Sequence, residues 1–169
     1  MSWLTIVLRA VHIGGGVLWA GATFTLAAFI EPTAASAGPE GSRFLQRLAG
    51  RYSPAVTVAG LLTVVAGIWL FSIDSGGFQP AFMGSALGVT LSIGGLCGLL
   101  AAVVGFGVSG RSAARLQAVS RAIQGQAGGM TPEQTAQLQA IQRRLRNAGR
   151  LAALLLGVAV VCMATARYL

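Results

Sequence analysis

Residues 10–30 read AVHIGGGVLWAGATFTLAAFI, without a formal charge and with the single histidine of the chain. At about 1.5 Å per residue such a stretch makes roughly 31 Å of helix, the thickness of a bilayer's hydrocarbon core. Helical steps of about 100° place His12, Gly16, Trp19 and Thr23 on one face, with Gly15 beside them. That face combines a metal-capable imidazole, glycines that admit close approach and a large indole. It suits a partner helix or a flat cofactor.

The whole chain has the same character. Only 9% of its residues are charged, 54% are hydrophobic, and the mean hydropathy is +0.72. A soluble domain carries about 25% charged residues, so the composition is that of a membrane protein. The basic residues are twelve arginines, with no lysine, against four acids: Glu31, Glu40, Asp74 and Glu133. Cys97 and Cys162 both lie in apolar stretches and read as small buried residues rather than a disulfide or ligand pair. Residues 1–37 imitate a signal peptide, and Ala35-Ser36-Ala37 resembles a cleavage site. The basic leader is missing apart from Arg9, so the segment is expected to stay as the first span.

Three further apolar spans follow. The second covers residues 52–73, where Ser53-Pro54 supplies a cap and a first-turn proline. The third covers residues 81–110, without a charge. The fourth, residues 151–168, has Arg150 and Arg167 at its ends, and both are expected to snorkel outward. Four spans put both termini on one side. The loops on the other side, 31–51 and 111–150, hold Arg43, Arg47, Arg51, Arg111, Arg115, Arg121, Arg143, Arg144, Arg146 and Arg150, against Arg9 and Arg167 on the terminal side. The positive-inside rule therefore predicts cytoplasmic loops and periplasmic termini, in a bacterial inner membrane.

Residues 42–50 precede the second span as a short interfacial helix. Arg43, Arg47 and Arg51 recur every four residues there, placed to meet anionic lipid headgroups. In the second loop, Thr131-Pro132-Glu133-Gln134 supplies an N-cap, a first-position proline and a capping-box partner. From there Leu138, Ile141, Leu145, Ala148 and Ala152 repeat at steps of three and four, and Leu155, Ala159, Cys162 and Ala166 carry the seam on. Leu116, Val119 and Ile123 form a matching stripe, and Gly128-Gly129 makes the turn. The predicted fold is thus all-α, a bundle of four transmembrane helices whose third and fourth members extend into a cytoplasmic antiparallel hairpin, residues 111–150. Small residues at Gly16, and at Gly84, Gly88, Gly94 and Gly98 on the third span, offer faces for helix packing, which lipid does not drive hydrophobically.

Reactive groups are few. No acid falls inside a span, no Ser/His/Asp set or zinc spacing is present, and the basic stretches lack interleaved aromatics for nucleic acid. Catalysis is not expected. His12 and Met163 fall at similar depth on the same side of the membrane, and His with Met suits haem or copper. Arg9, one turn from His12, is placed to pair with a propionate, and Trp19 completes the candidate cofactor face. An imidazole facing hydrocarbon would carry an unpaired polar group, so His12 should point inward, to a metal, to a pigment or to a protein acceptor such as Asp74.

His12-Ile13, then Trp19-Ala20-Gly21 and Phe24, resembles the first helix of small four-helix membrane families, the copper-resistance CopD-like proteins and the HemJ-type protoporphyrinogen oxidases. The resemblance covers about residues 8–24. By it, His12 would ligate haem b. The chain lacks the Pro-Arg-Leu-Phe run, the second histidine and the lysine of the HemJ pattern, so oxidase activity does not carry over. Two functions therefore stand open: a non-catalytic membrane subunit that packs against other integral membrane subunits or itself and helps organise a larger, possibly bioenergetic, assembly, or a protein binding haem b, copper or a chlorin pigment through His12.

Overall fold

The computed structural model describes residues 2–124 and 131–169, which are helical with short turns and contain no strand. Four helical stretches are long and apolar enough to cross a membrane. The first begins at helix α1 (Trp3–Thr25), where Ser2 caps the Thr5 amide. It continues through a π-helical turn, Leu26–Ile30, into a short helix α2 (Glu31–Ser36). Residues 10–30 are thus the middle of a longer helical run.

Helix α3 (Gly38–Asp74) corrects two sequence expectations. It starts at Gly38-Pro39-Glu40, with a positive φ at Gly38, a first-turn proline and an acid in the first turn. Residues 42–50 are therefore the opening turns of the second span rather than a separate interfacial helix. Ser53-Pro54 is not a start, since Pro54 lies inside the helix. A proline there forfeits one backbone hydrogen bond, but the helical residues on either side continue the spiral past it. Arg43, Arg47 and Arg51 remain exposed along these turns.

After Asp74 the chain turns through Gly76, Gly77 and Phe78, all at positive φ, around a buried Ser75 whose hydroxyl accepts from the Phe78 amide. Phe78 and Phe82 pack on Phe71, with ring centroids 5.7 and 6.0 Å away. Helix α4 (Pro80–Met83) is a single turn. Ser85 then caps α5 (Ala86–Ala102). Gly84 consequently sits in a turn, not on the third span, and does not form a helix-face pair with Gly88. The third helical stretch passes through a second π-helical segment, Val103–Ser109, into α6 (Gly110–Gln124). Helix α7 (Pro132–Thr165) opens on the expected capping box, with Thr131 and Gln134 bonding reciprocally, and ends in a 3-10 turn, Ala166–Tyr168.

Helix α1 packs chiefly on α3, and α5 on α7. At the centre, Trp19, Ala20, Ala59, Ala101, Ala102 and Leu156 form one buried cluster. Among the described residues, ten of the thirteen buried apolar positions are alanine. Such small side chains bring backbones close, the packing that holds helices together in lipid. Large side chains such as Ile13, Val17, Val103 and Leu154 point outward instead. On α7 and the 3-10 turn after it, the expected seam of Leu138, Ile141, Leu145, Ala148, Ala152, Leu155, Ala159, Cys162 and Ala166 is buried or half-buried throughout. Leu116 and Val119 are half-buried on α6, which touches α7. The turn expected at Gly128-Gly129 lies outside the described residues, as does the side chain of Ile123.

Candidate functional site

His12 points inward, against α3. Its Nδ1 lies 2.8 Å from the carbonyl oxygen of Thr63. A carbonyl only accepts, so Nδ1 carries the proton and donates. Two features let the ring reach that carbonyl. Residue 67, one turn on, is a glycine, and a Cβ built there would stand 2.7 Å from His12 Cε1 and 2.9 Å from Nδ1. Residue 15 is also a glycine, and a Cβ there would be 2.6 Å from Thr63 Oγ1 and 3.0 Å from the Ala59 carbonyl. Thr63 is buried and donates its hydroxyl back to Ala59 at 2.7 Å. A Cβ on Gly16 would meet the Thr63 methyl at an ordinary contact distance, 3.6 Å. The result is a zipper between α1 and α3 in which the His12 ring faces Gly67 and the Thr63 hydroxyl faces Gly15.

The other sequence-predicted residues fall around it. Trp19 is 5% exposed and stacks on Phe106, with ring centroids 6.1 Å apart and planes 21° from parallel. Both rings rest on Gly60, where a Cβ would be 2.7 Å from Phe106 and 3.2 Å from Trp19. Trp19 therefore fills the core and does not front an open face. Arg9 pairs with Asp74 across 3.5 Å, both groups being partly exposed. The acid offered above as an acceptor for His12 thus serves Arg9. Met163 packs elsewhere: its Cε lies 3.4 Å from a Cβ position on Gly94, beside Cys162. No hydrogen bond joins Met163 to His12, and among the described residues no three His, Cys, Asp or Glu groups gather to hold a metal. Gly88 packs on Phe82, whereas a Cβ on Gly98 would meet nothing within 4 Å.

A second cluster sits at the other end of the first helical stretch, made of residues that the sequence offers only as loop, span-end and topology residues. Glu31, directly after the π-helical turn, is half-buried in the field of Arg146 and Arg150. Gly149 adjoins it, since a Cβ there would stand in ordinary contact with Glu31 Oε1, at 3.8 Å. Tyr52 on α3 shares this corner, and its hydroxyl is buried without a hydrogen-bond partner among the described residues. The two guanidiniums act on the carboxyl through their field, with no direct ion pair to it among the described residues. The sequence held one signal for this corner: of the two acids that directly follow an uncharged span, Glu31 and Asp74, Glu31 is the one on the side of the arginine-rich loops.

Comparison with family models, with curated proteins and with solved structures finds no match for this chain.

Proposed function

We propose that this chain is a non-catalytic integral membrane subunit that packs laterally against other membrane helices, its own or a partner's, and helps organise a larger assembly. One observation carries the reading. On α1, Gly14, Val17, Leu18 and Gly21 form a continuous outward stripe. Val17 is 70% and Leu18 54% exposed, and a Cβ on either glycine would meet nothing within 4 Å. Glycines that the chain's own fold does not need leave a shallow channel for a neighbouring helix. The arginine distribution supports periplasmic termini, and the seam on α7 with its stripe on α6 supports an antiparallel cytoplasmic hairpin over residues 111–150. A periplasm-specific reporter fused after Leu169 is expected to be active, and activity only from a fusion near Gly129 would reverse the orientation.

A second reading keeps His12 as a ligand to haem b, copper or a chlorin. It is favoured by one detail: Nδ1 donates to a backbone carbonyl, which leaves the Nε2 lone pair without a protein partner among the described residues. That is how a ligating imidazole is usually oriented. The fit extends to this single donor, since Met163 lies against Gly94. Purification in mild detergent separates the readings. Stoichiometric co-purification with membrane subunits and no visible chromophore or bound copper supports the first; a Soret or chlorin band, or one copper per chain, lost in His12→Ala supports the second.

A further inference from the structure

The second π-helical segment and α7 flank an open groove of about 510 Å³. Its floor is apolar, formed by Val104, Val108 and Leu151, and Arg143, Arg144 and Asn147 stand along it. The groove straddles a boundary that the sequence draws sharply. Residues 81–110 carry no charge and are followed by Arg111, while Leu151 is the first apolar residue after Arg150. One end of the groove is therefore level with hydrocarbon and the other with headgroups. Val104 and Val108 belong to the π-helical segment Val103–Ser109, a backbone form frequent at functional sites. Arg143 and Arg144 are exposed and have no anionic partner among the described residues, since Glu31 lies toward Arg146 and Arg150, and Asp74 pairs with Arg9.

We propose that this groove binds one anionic phospholipid, its headgroup phosphate between Arg143, Arg144 and Asn147 and an acyl chain along Val104, Val108 and Leu151. A free anion would make no use of the apolar floor, and a zwitterionic lipid would leave the guanidiniums without a net counter-charge. Basic grooves between helices at the cytoplasmic boundary hold anionic lipids by this combination. The site requires a bilayer but no partner subunit, so it stands or falls apart from the lateral packing proposed above.

The test uses the full chain in nanodiscs of phosphatidylcholine with a minor share of phosphatidylglycerol, followed by release into detergent and native mass spectrometry. Wild type should retain one phosphatidylglycerol, even against excess inorganic phosphate. Arg143→Gln with Arg144→Gln removes the charge. Ala140→Trp fills the groove from an exposed position on α7 and keeps both arginines. Each variant should lower retained phosphatidylglycerol by roughly tenfold or more with helicity unchanged. Loss in the arginine variant alone would reduce the effect to surface charge and overturn the groove. Loss in Ala140→Trp alone would make the site apolar and unselective, and displacement by inorganic phosphate would make it a plain anion site. Retention in both variants would also overturn it.

Discussion

Gly14 and Gly15 are neighbours on one helix, yet a side-chain carbon on Gly15 would stand 2.6 Å from Thr63 Oγ1, whereas one on Gly14 would meet nothing. The inward face of α1 is spent on the chain's own fold: Gly15, Gly16 and the ring of His12 close against Thr63 and Gly67. The outward face, Gly14 to Gly21, is equally glycine-rich and closes against nothing among the described residues. Glycine content alone does not reveal a surface for a partner. What separates the two faces is whether the space left by the absent side chain is already filled.

The comparison predicts a graded set of effects on the isolated chain in detergent. The largest should come from Gly15→Val. The Ala59 carbonyl is backbone and has little freedom to move aside, so α1 and α3 must separate, at about 1–3 kcal/mol. Gly67→Ala should follow at about 1–2 kcal/mol, because the new methyl displaces His12 from the Thr63 carbonyl and strands a polar group. His12→Leu removes that hydrogen bond without adding bulk on α3 and should cost about 1 kcal/mol. Arg9→Gln should cost well under about 1 kcal/mol, since the pair with Asp74 is partly exposed and screened. Denaturant titration monitored by circular dichroism orders the four. A destabilisation by Arg9→Gln as large as that by Gly15→Val would contradict the zipper as the main link between these helices.

Much of this arrangement was legible in the sequence. The α7 seam was readable because steps of three and four mark one face of a helix whatever that face packs on. The start of α3 was misplaced because Ser53-Pro54 carries the same local signals as a true helix start, and only the longer helix shows that Gly38-Pro39-Glu40 precedes it. Gly84 was assigned to a span because uncharged sequence does not distinguish a turn from a helix. His12 was correctly turned inward, but its acceptor could not be named: it is a backbone carbonyl, which every residue possesses. Trp19 shared the helical face expected for it, and what fills the space beside it, Phe106 over Gly60, depends on tertiary packing. The Glu31 corner was missed because its members come from three distant stretches, at residues 31, 52 and 146–150.

The central claim is that the Gly14–Gly21 face is kept open for another membrane helix. Gly14→Ile with Gly21→Ile tests it directly, because among the described residues nothing lies within 4 Å of a Cβ at either position. The stability of the isolated chain should change by no more than about 0.5 kcal/mol. Recovery of co-purifying membrane subunits, or of the chain's own oligomer by cross-linking in native membranes, should fall several-fold or more. Undiminished association with the double variant folded would contradict the account, and so would an unfolded monomer, which would show the stripe to be part of the chain's own core.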